Sequence, residues 1–174
     1  FFISNTIGSL SKNKKIKYGA QDVHFEKEGA YTGGVSAQMI SSLGATLTLV
    51  GHSEKRNEGD TNEVVARKIE NALKAGLSIV LCVGEKSRDS SADYHIAVKR
   101  DLEESLALFP KSKLTSLTIA YEPVWAIGKN AVRQATPEES REMSVFIKKV
   151  LTDMYGSKGS DVPVLYGGSV TVEN

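Results

Sequence analysis

With 174 residues, 40% hydrophobic and 25% charged, the chain can bury one sizeable core and is too short for two ordinary domains. Its formal net charge of +1, with no dominating basic block, gives no footing for a nucleic-acid or membrane partner. The single cysteine, Cys82, excludes an internal disulfide and fits a reducing, cytoplasmic compartment, and no apolar run approaches a membrane span.

Residues 1–3 read as the end of a strand, and the chain opens Phe1-Phe2-Ile3 with no initiator methionine. It closes at Val172-Glu173-Asn174, as if early in a helix, so the expectation is an internal fragment. Residues 16–21 form the next expected strand, ending in Gln21-Asp22, and 26–34 a long polar, glycine-rich loop. A short helix over 36–43 stops at Gly44, and a strand over 46–50 ends in Gly51-His52-Ser53-Glu54. The spacing of Val64, Val65, Ile69, Ala72 and Leu73 predicts a helix over 61–74, closed by Gly76. An apolar strand over 77–83 leads to Gly84-Glu85. A helix over 94–109 follows, with Ile96, Val98, Leu102, Leu106 and Phe109 on or near one face. A strand over 117–120 and a helix over 137–154 precede a last strand, 162–166, that ends in Gly167-Gly168-Ser169.

Strands and helices alternate, and the interior strands are apolar without alternation, which is the pattern of a parallel sheet covered by helices. Each unit runs roughly 35–45 residues, the length a right-handed crossover needs. A closed (β/α)8 barrel and an open doubly wound sheet both fit. His52, Glu85, Glu122 and Gly167-Gly168-Ser169 each follow a successive strand. A barrel gathers all such ends at one mouth, whereas an open sheet gathers those beside a switch point, so the barrel is favoured.

The stretch from Tyr121 to Pro137 organises this reading. Glu122 ends a strand, Pro123 stops the ladder, Trp125 can anchor a loop by packing, and Gly128 frees the backbone. Thr136, Pro137 and Glu139 spell a capping box that restarts a helix. A carboxylate on a stiff strand end beneath a tethered loop has the outline of an acid or base with a lid. His52, meeting a helix N-terminus, is biased towards neutral imidazole and can donate to a carbonyl or enediolate oxygen. Gly167-Gly168-Ser169 exposes backbone N–H groups suited to an anion. A turn histidine, a surface glutamate and an ordinary glycine turn are the plain alternatives. Cys82, between Leu81 and Val83, reads as a buried structural thiol. His24 and His95 lack metal-ligand spacing to each other or to Cys82, so no metal and no cofactor is assigned. Base, neutral electrophile and anion cradle together point to proton transfer beside a carbonyl on a small phosphorylated substrate.

Six stretches resemble the triosephosphate isomerase family, in its order and near its spacing: 19–22, Gly29-Ala30-Tyr31-Thr32-Gly33, Gly51-His52-Ser53-Glu54-Lys55-Arg56, Cys82-Val83-Gly84-Glu85, Tyr121 to Gly128, and Tyr166 to Val170. The resemblance implies a (β/α)8 barrel, incomplete in this chain, with residues 1–174 one domain running from about the end of strand 2 to just after strand 7. It implies a glycolytic and gluconeogenic isomerase of dihydroxyacetone phosphate and glyceraldehyde 3-phosphate, with Glu122 as base and His52 as electrophile. Gly128, Gly168 and Ser169 would hold the phosphate, and Thr32 would reach a neighbouring subunit of a homodimer. A barrel homologue that binds a phosphorylated ligand without turnover is the rival reading. Departures are Gly34 for the usual loop acid and Lys55 for the first arginine, so that salt bridge cannot form. The run from Lys129 to Ala135 is about two residues longer than the family's hinge. The family's first-strand asparagine and lysine and eighth-strand glycine pair are not among these residues, so the isolated chain is expected to be nearly inactive and poorly stable.

Overall fold

The computed structural model describes residues 16–88, 93–128 and 131–170. The strand expected over 1–3 and the final residues 171–174 lie outside that range. Five parallel strands form one sheet in the order β1 (Gly19–Ala20), β2 (Leu47–Val50), β3 (Ser78–Val83), β4 (Leu117–Tyr121), β5 (Val164–Tyr166). Between them run α1 (Ala37–Ser42), α2 (Ser53–Asn57), α3 (Asn62–Lys74), α4 (Asp93–Ser105) and α5 (Pro137–Tyr155). Spatial order equals chain order, with no point at which it reverses. A doubly wound sheet requires such a reversal, so the open-sheet alternative falls and the barrel segment stands. The barrel is not closed among the described residues.

Helix boundaries follow their caps. Ser36 accepts from the Met39 amide at the start of α1, Thr61 from the Val64 amide at α3, and Thr136 and Glu139 form the full capping box of α5. The register pairs Val83 with Tyr121 and Cys82 with Ala120. Ile79, Leu81, Val83, Leu117, Ile119 and Tyr121 share a core cluster with Val65, Ile69 and Ala72 of α3, Val98 and Leu102 of α4, and Met143, Ile147 and Leu151 of α5. Cys82 and Ala120 are buried but lie outside that cluster, on the opposite, inward face of the sheet. Among the described residues no helix is long and apolar enough to cross a membrane.

Several expected boundaries shift. β1 contracts to two residues, and Ile16 is 45% exposed. α4 ends at Ser105 because two tight turns lead into Pro110, whose ring disfavours helix at the residue before it. Ile96, expected on its apolar face, is 66% exposed, while Leu106 and Phe109 are buried from the turns instead. β5 starts after Pro163, which has no amide to donate, and the short helix α2 directly after His52 sharpens what the sequence showed only as a helix to come. Lys68 of α3 is 4% exposed and its Nζ meets Asp22 at 2.8 Å and Asp60 at 2.6 Å, tying the loops after β1 and α2 to one helix.

Just past the C-terminal ends of β3 and β4 the two chains run close together, and a Cβ on Gly84 would fall 2.5 Å from the Glu122 carbonyl carbon and closer still to its oxygen. Gly84→Ala therefore has to part the strand ends, and we expect a loss of roughly 2–4 kcal/mol in chemical denaturation. Unchanged stability would show that the approach is relaxed in solution.

Candidate active site

Glu122 is fixed first by its backbone. Its N–H donates to the Val83 carbonyl at 2.8 Å, and the Gly167 amide donates to the Tyr121 carbonyl at 2.8 Å, so β3 and the β5 loop grip the residue from both sides. Its parity continues that of Ala120, so the side chain enters the inward face beside Cys82. A Cβ on Gly167 would stand 2.9 Å from Glu122 Cγ, so a glycine there leaves the carboxylate its space. Glu122 is 7% exposed. Burial raises its pKa above the ordinary value, against the opposing pull of His52, the Cys82 thiol and the Ser53 amide, with Glu54 adding to the rise. The thiol's own pKa is pushed far up, chiefly by burial and then by the Glu122 charge.

His52 caps α2 in an unusual way, its Nδ1 accepting the Glu54 amide at 3.2 Å. An accepting Nδ1 carries no proton, so the neutral ring bears its proton on Nε2. Nε2 stands 3.5 Å from Glu122 Oε1. A carboxylate and an Nε2–H donor thus face one small space, the pairing a proton abstraction beside a carbonyl needs.

The loop after β4 is tethered from beneath. Glu85 is 2% exposed, and its Oε1 accepts both the Tyr121 hydroxyl and the Trp125 indole N–H at 2.8 Å each. Among the described residues its buried Oε2 has no hydrogen-bond partner, so losing either donor would leave a still less compensated carboxylate. The Val124 amide adds a bond to the Glu85 carbonyl at 3.0 Å. Glu85 therefore serves as the loop's anchor, with its hydrogen bonds made to Tyr121 and Trp125 rather than in the space between His52 and Glu122. Trp125 also packs with Ala126, Ala135 and Tyr166.

Of the remaining sequence-derived residues, Ser169 donates from its Oγ to the Ala126 carbonyl at 3.4 Å and so links the β5 loop to the loop after β4. Gly168 follows Gly167 directly, and a Cβ there would run into the Tyr166 hydroxyl, so a side chain would have to displace that ring. Gly128 takes φ +71° with open space around it, at the exposed end of the described lid segment. Lys129 and Asn130 lie outside the described residues. Thr32 is exposed on the loop before α1. At Gly34 a Cβ would stand 3.0 Å from His24 Cδ2, so a side chain there would have to push that ring aside, and Lys55 pairs with Glu58 at 2.6 Å. Among the described residues no group of three or more His, Cys, Asp or Glu could hold a metal ion.

Sequence reasoning missed the contacts of Cys82 and Ser53 with Glu122 and the anchoring role of Glu85. The available signal was parity: one step along paired strands sends Glu122 inward and Tyr121 towards the helices.

The triosephosphate isomerase family model matches residues 1–174. The chain is 44% identical over 166 residues to triosephosphate isomerase of Thermus thermophilus, covering 92% of this chain and 64% of that protein. It is 37% identical over 177 residues to the Trichlorobacter lovleyi enzyme of the same name, covering 100% and 70%. The crystal structure of triosephosphate isomerase from Bartonella henselae superposes with a TM-score of 0.86 at 34% identity, over 97% of this chain and 68% of that one. The chain thus spans about two thirds of the length of these relatives. On the matching family model, the relatives and the shared fold, the chain belongs to the triosephosphate isomerase family.

Proposed function

We propose that the whole protein interconverts dihydroxyacetone phosphate and glyceraldehyde 3-phosphate through an enediolate. The observation that carries this reading is Glu122, a buried carboxylate on a rigid strand end with an Nε2–H donor 3.5 Å away. Glu122 takes a proton from C1 of the ketose; the C–H pair becomes the enediolate double bond and the carbonyl pair moves onto O2. His52 Nε2–H stabilises that oxygen as charge develops and stands where the hydroxyl proton can pass between O1 and O2. Glu122 then returns its proton to C2, which gives the aldose with no net change in composition.

The backbone at Gly128 and the Gly168-Ser169 turn hold the phosphate, a role supported by the Ser169 bond to the lid. With the lid down, water is kept from the enediolate, which would otherwise shed its phosphate. Residues 1–174 belong to one barrel domain, and the protein works in the cytoplasm in glycolysis and gluconeogenesis as a homodimer. The exposed Thr32 loop, braced by His24 stacked on Phe25 at 4.4 Å and tilted against Tyr31 at 4.5 Å, is its arm towards the neighbouring subunit.

Glu122→Asp withdraws the base by one methylene, and we expect kcat to fall at least about a hundredfold in a coupled triose phosphate assay. Wild-type turnover in that variant would remove Glu122 as base; a wild-type protein that binds the substrates without turnover would favour the non-catalytic barrel. Stability gives an independent reading. A carboxyl whose pKa rises on folding contributes stability at pH below its unfolded value near 4.5, and that contribution is lost as pH climbs through the folded value. Glu122→Gln cannot ionise, so it should melt above wild type at pH 7, and the gap should close below about pH 4. A variant melting lower than wild type at pH 7 would contradict the burial argument.

A further inference from the structure

Trp125 is held from two sides. Its indole N–H reaches Glu85, and the Arg133 guanidinium carbon lies 4.6 Å from its ring centroid. Arg133 is itself constrained: Nη1 and Nη2 donate to the two oxygens of Glu139 at 2.8 and 2.5 Å. Glu139 in turn accepts the Thr136 amide at 2.9 Å within the capping box of α5. The Arg133 fork is the main reason the Glu139 carboxyl is pulled down to about 2, so the pair stays ionised at any working pH. The backbone closes the same junction, with the Val132 amide donating to the Trp125 carbonyl at 2.8 Å. The two limbs of the lid are therefore joined at their base by a backbone bond and a stacked cation, and fastened to the first turn of α5. Arg133 lies in the part of the lid where the chain leaves the family's usual run, and the proton-transfer chemistry makes no use of it.

We propose that Arg133 is a positioning residue, whose guanidinium clamps Trp125 against Glu85 and so fixes the base of the loop that leads on from Glu122. Ala126, next in the chain, carries the carbonyl that Ser169 reaches, so a loosened Trp125 also loosens the link between the lid and the β5 turn. An arginine suits the task because one planar fork can meet both carboxylate oxygens and lie flat on an indole; a lysine can do only one of these. The kinetic consequence rests on the isomerase reading above, but the clamp itself does not.

The test uses Arg133→Ala and Arg133→Lys in the whole protein, each also combined with Trp125→Phe so that Trp125 emission is obtained by difference. Losing a cation–π contact with its partly exposed ion pair should lower kcat/KM about tenfold in Arg133→Ala. Acrylamide should quench Trp125 more strongly in that variant, and Arg133→Lys should fall between it and wild type on both readouts. Quenching equal to wild type would overturn the clamp, whatever happens to the rate. Raised quenching with unchanged kcat/KM would overturn its role in positioning. Raised quenching in a protein whose wild type isomerises nothing would keep the clamp and refute the isomerase reading.

Discussion

The close approach of β3 and β4 is the constraint on which the site depends. At Gly84 the two chains come together where a side chain has no room, and Glu122 is delivered past that point with its backbone already bonded on both sides. The carboxylate then has little freedom to turn towards solvent, and the space it enters is kept open by a second glycine, Gly167. Burial and hydrogen bonding compete at that carboxylate, and burial wins: three partners that favour the charged form leave its pKa raised. A carboxylate with its pKa raised in this way holds a proton more readily than an exposed one. Had a lysine or arginine stood in contact with Glu122, the balance would tip the other way and the group would be a weaker base.

Two carboxylates follow adjacent strands, and their surroundings give them different work. Glu122 faces the imidazole of His52, whereas Glu85 spends one oxygen on the Tyr121 hydroxyl and the Trp125 indole. The loop after β4 is thereby anchored to the same pair of strands that positions Glu122. This coupling favours precision, since the residue to be covered and the residue that covers it are referred to one piece of sheet. Arg133 and Glu139 extend the anchorage to α5, so three elements meet around a single indole. The departures from the family at Gly34 and Lys55 lie on the other side of β2, where Lys55 has found Glu58 as partner and Lys68 braces the loops after β1 and α2.

The alternation of apolar strands with capped helices, the capping box at Thr136 and the glycine stops were legible from sequence because each is decided within a few residues. The identities of His52, Glu122 and Ser169 were legible too, because they stand at fixed offsets from strand ends and within motifs. Boundaries were less so: β1 shrank and α4 stopped early where neighbours, and a proline beyond the last turn, overrode local preference. Tertiary structure alone decided that Glu85 bonds to Tyr121 and Trp125 while Glu122 faces His52, that Cys82 touches Glu122, and that Arg133 lies over Trp125. Except for the last, these depend on the register of strands about 40 residues apart, and a strand's side chains change face at every step, so one residue of slip in β4 would turn Glu122 away from the inward face. The sequence by itself determined which groups reach the strand ends; only the paired sheet, by fixing that register, decided which of them meet.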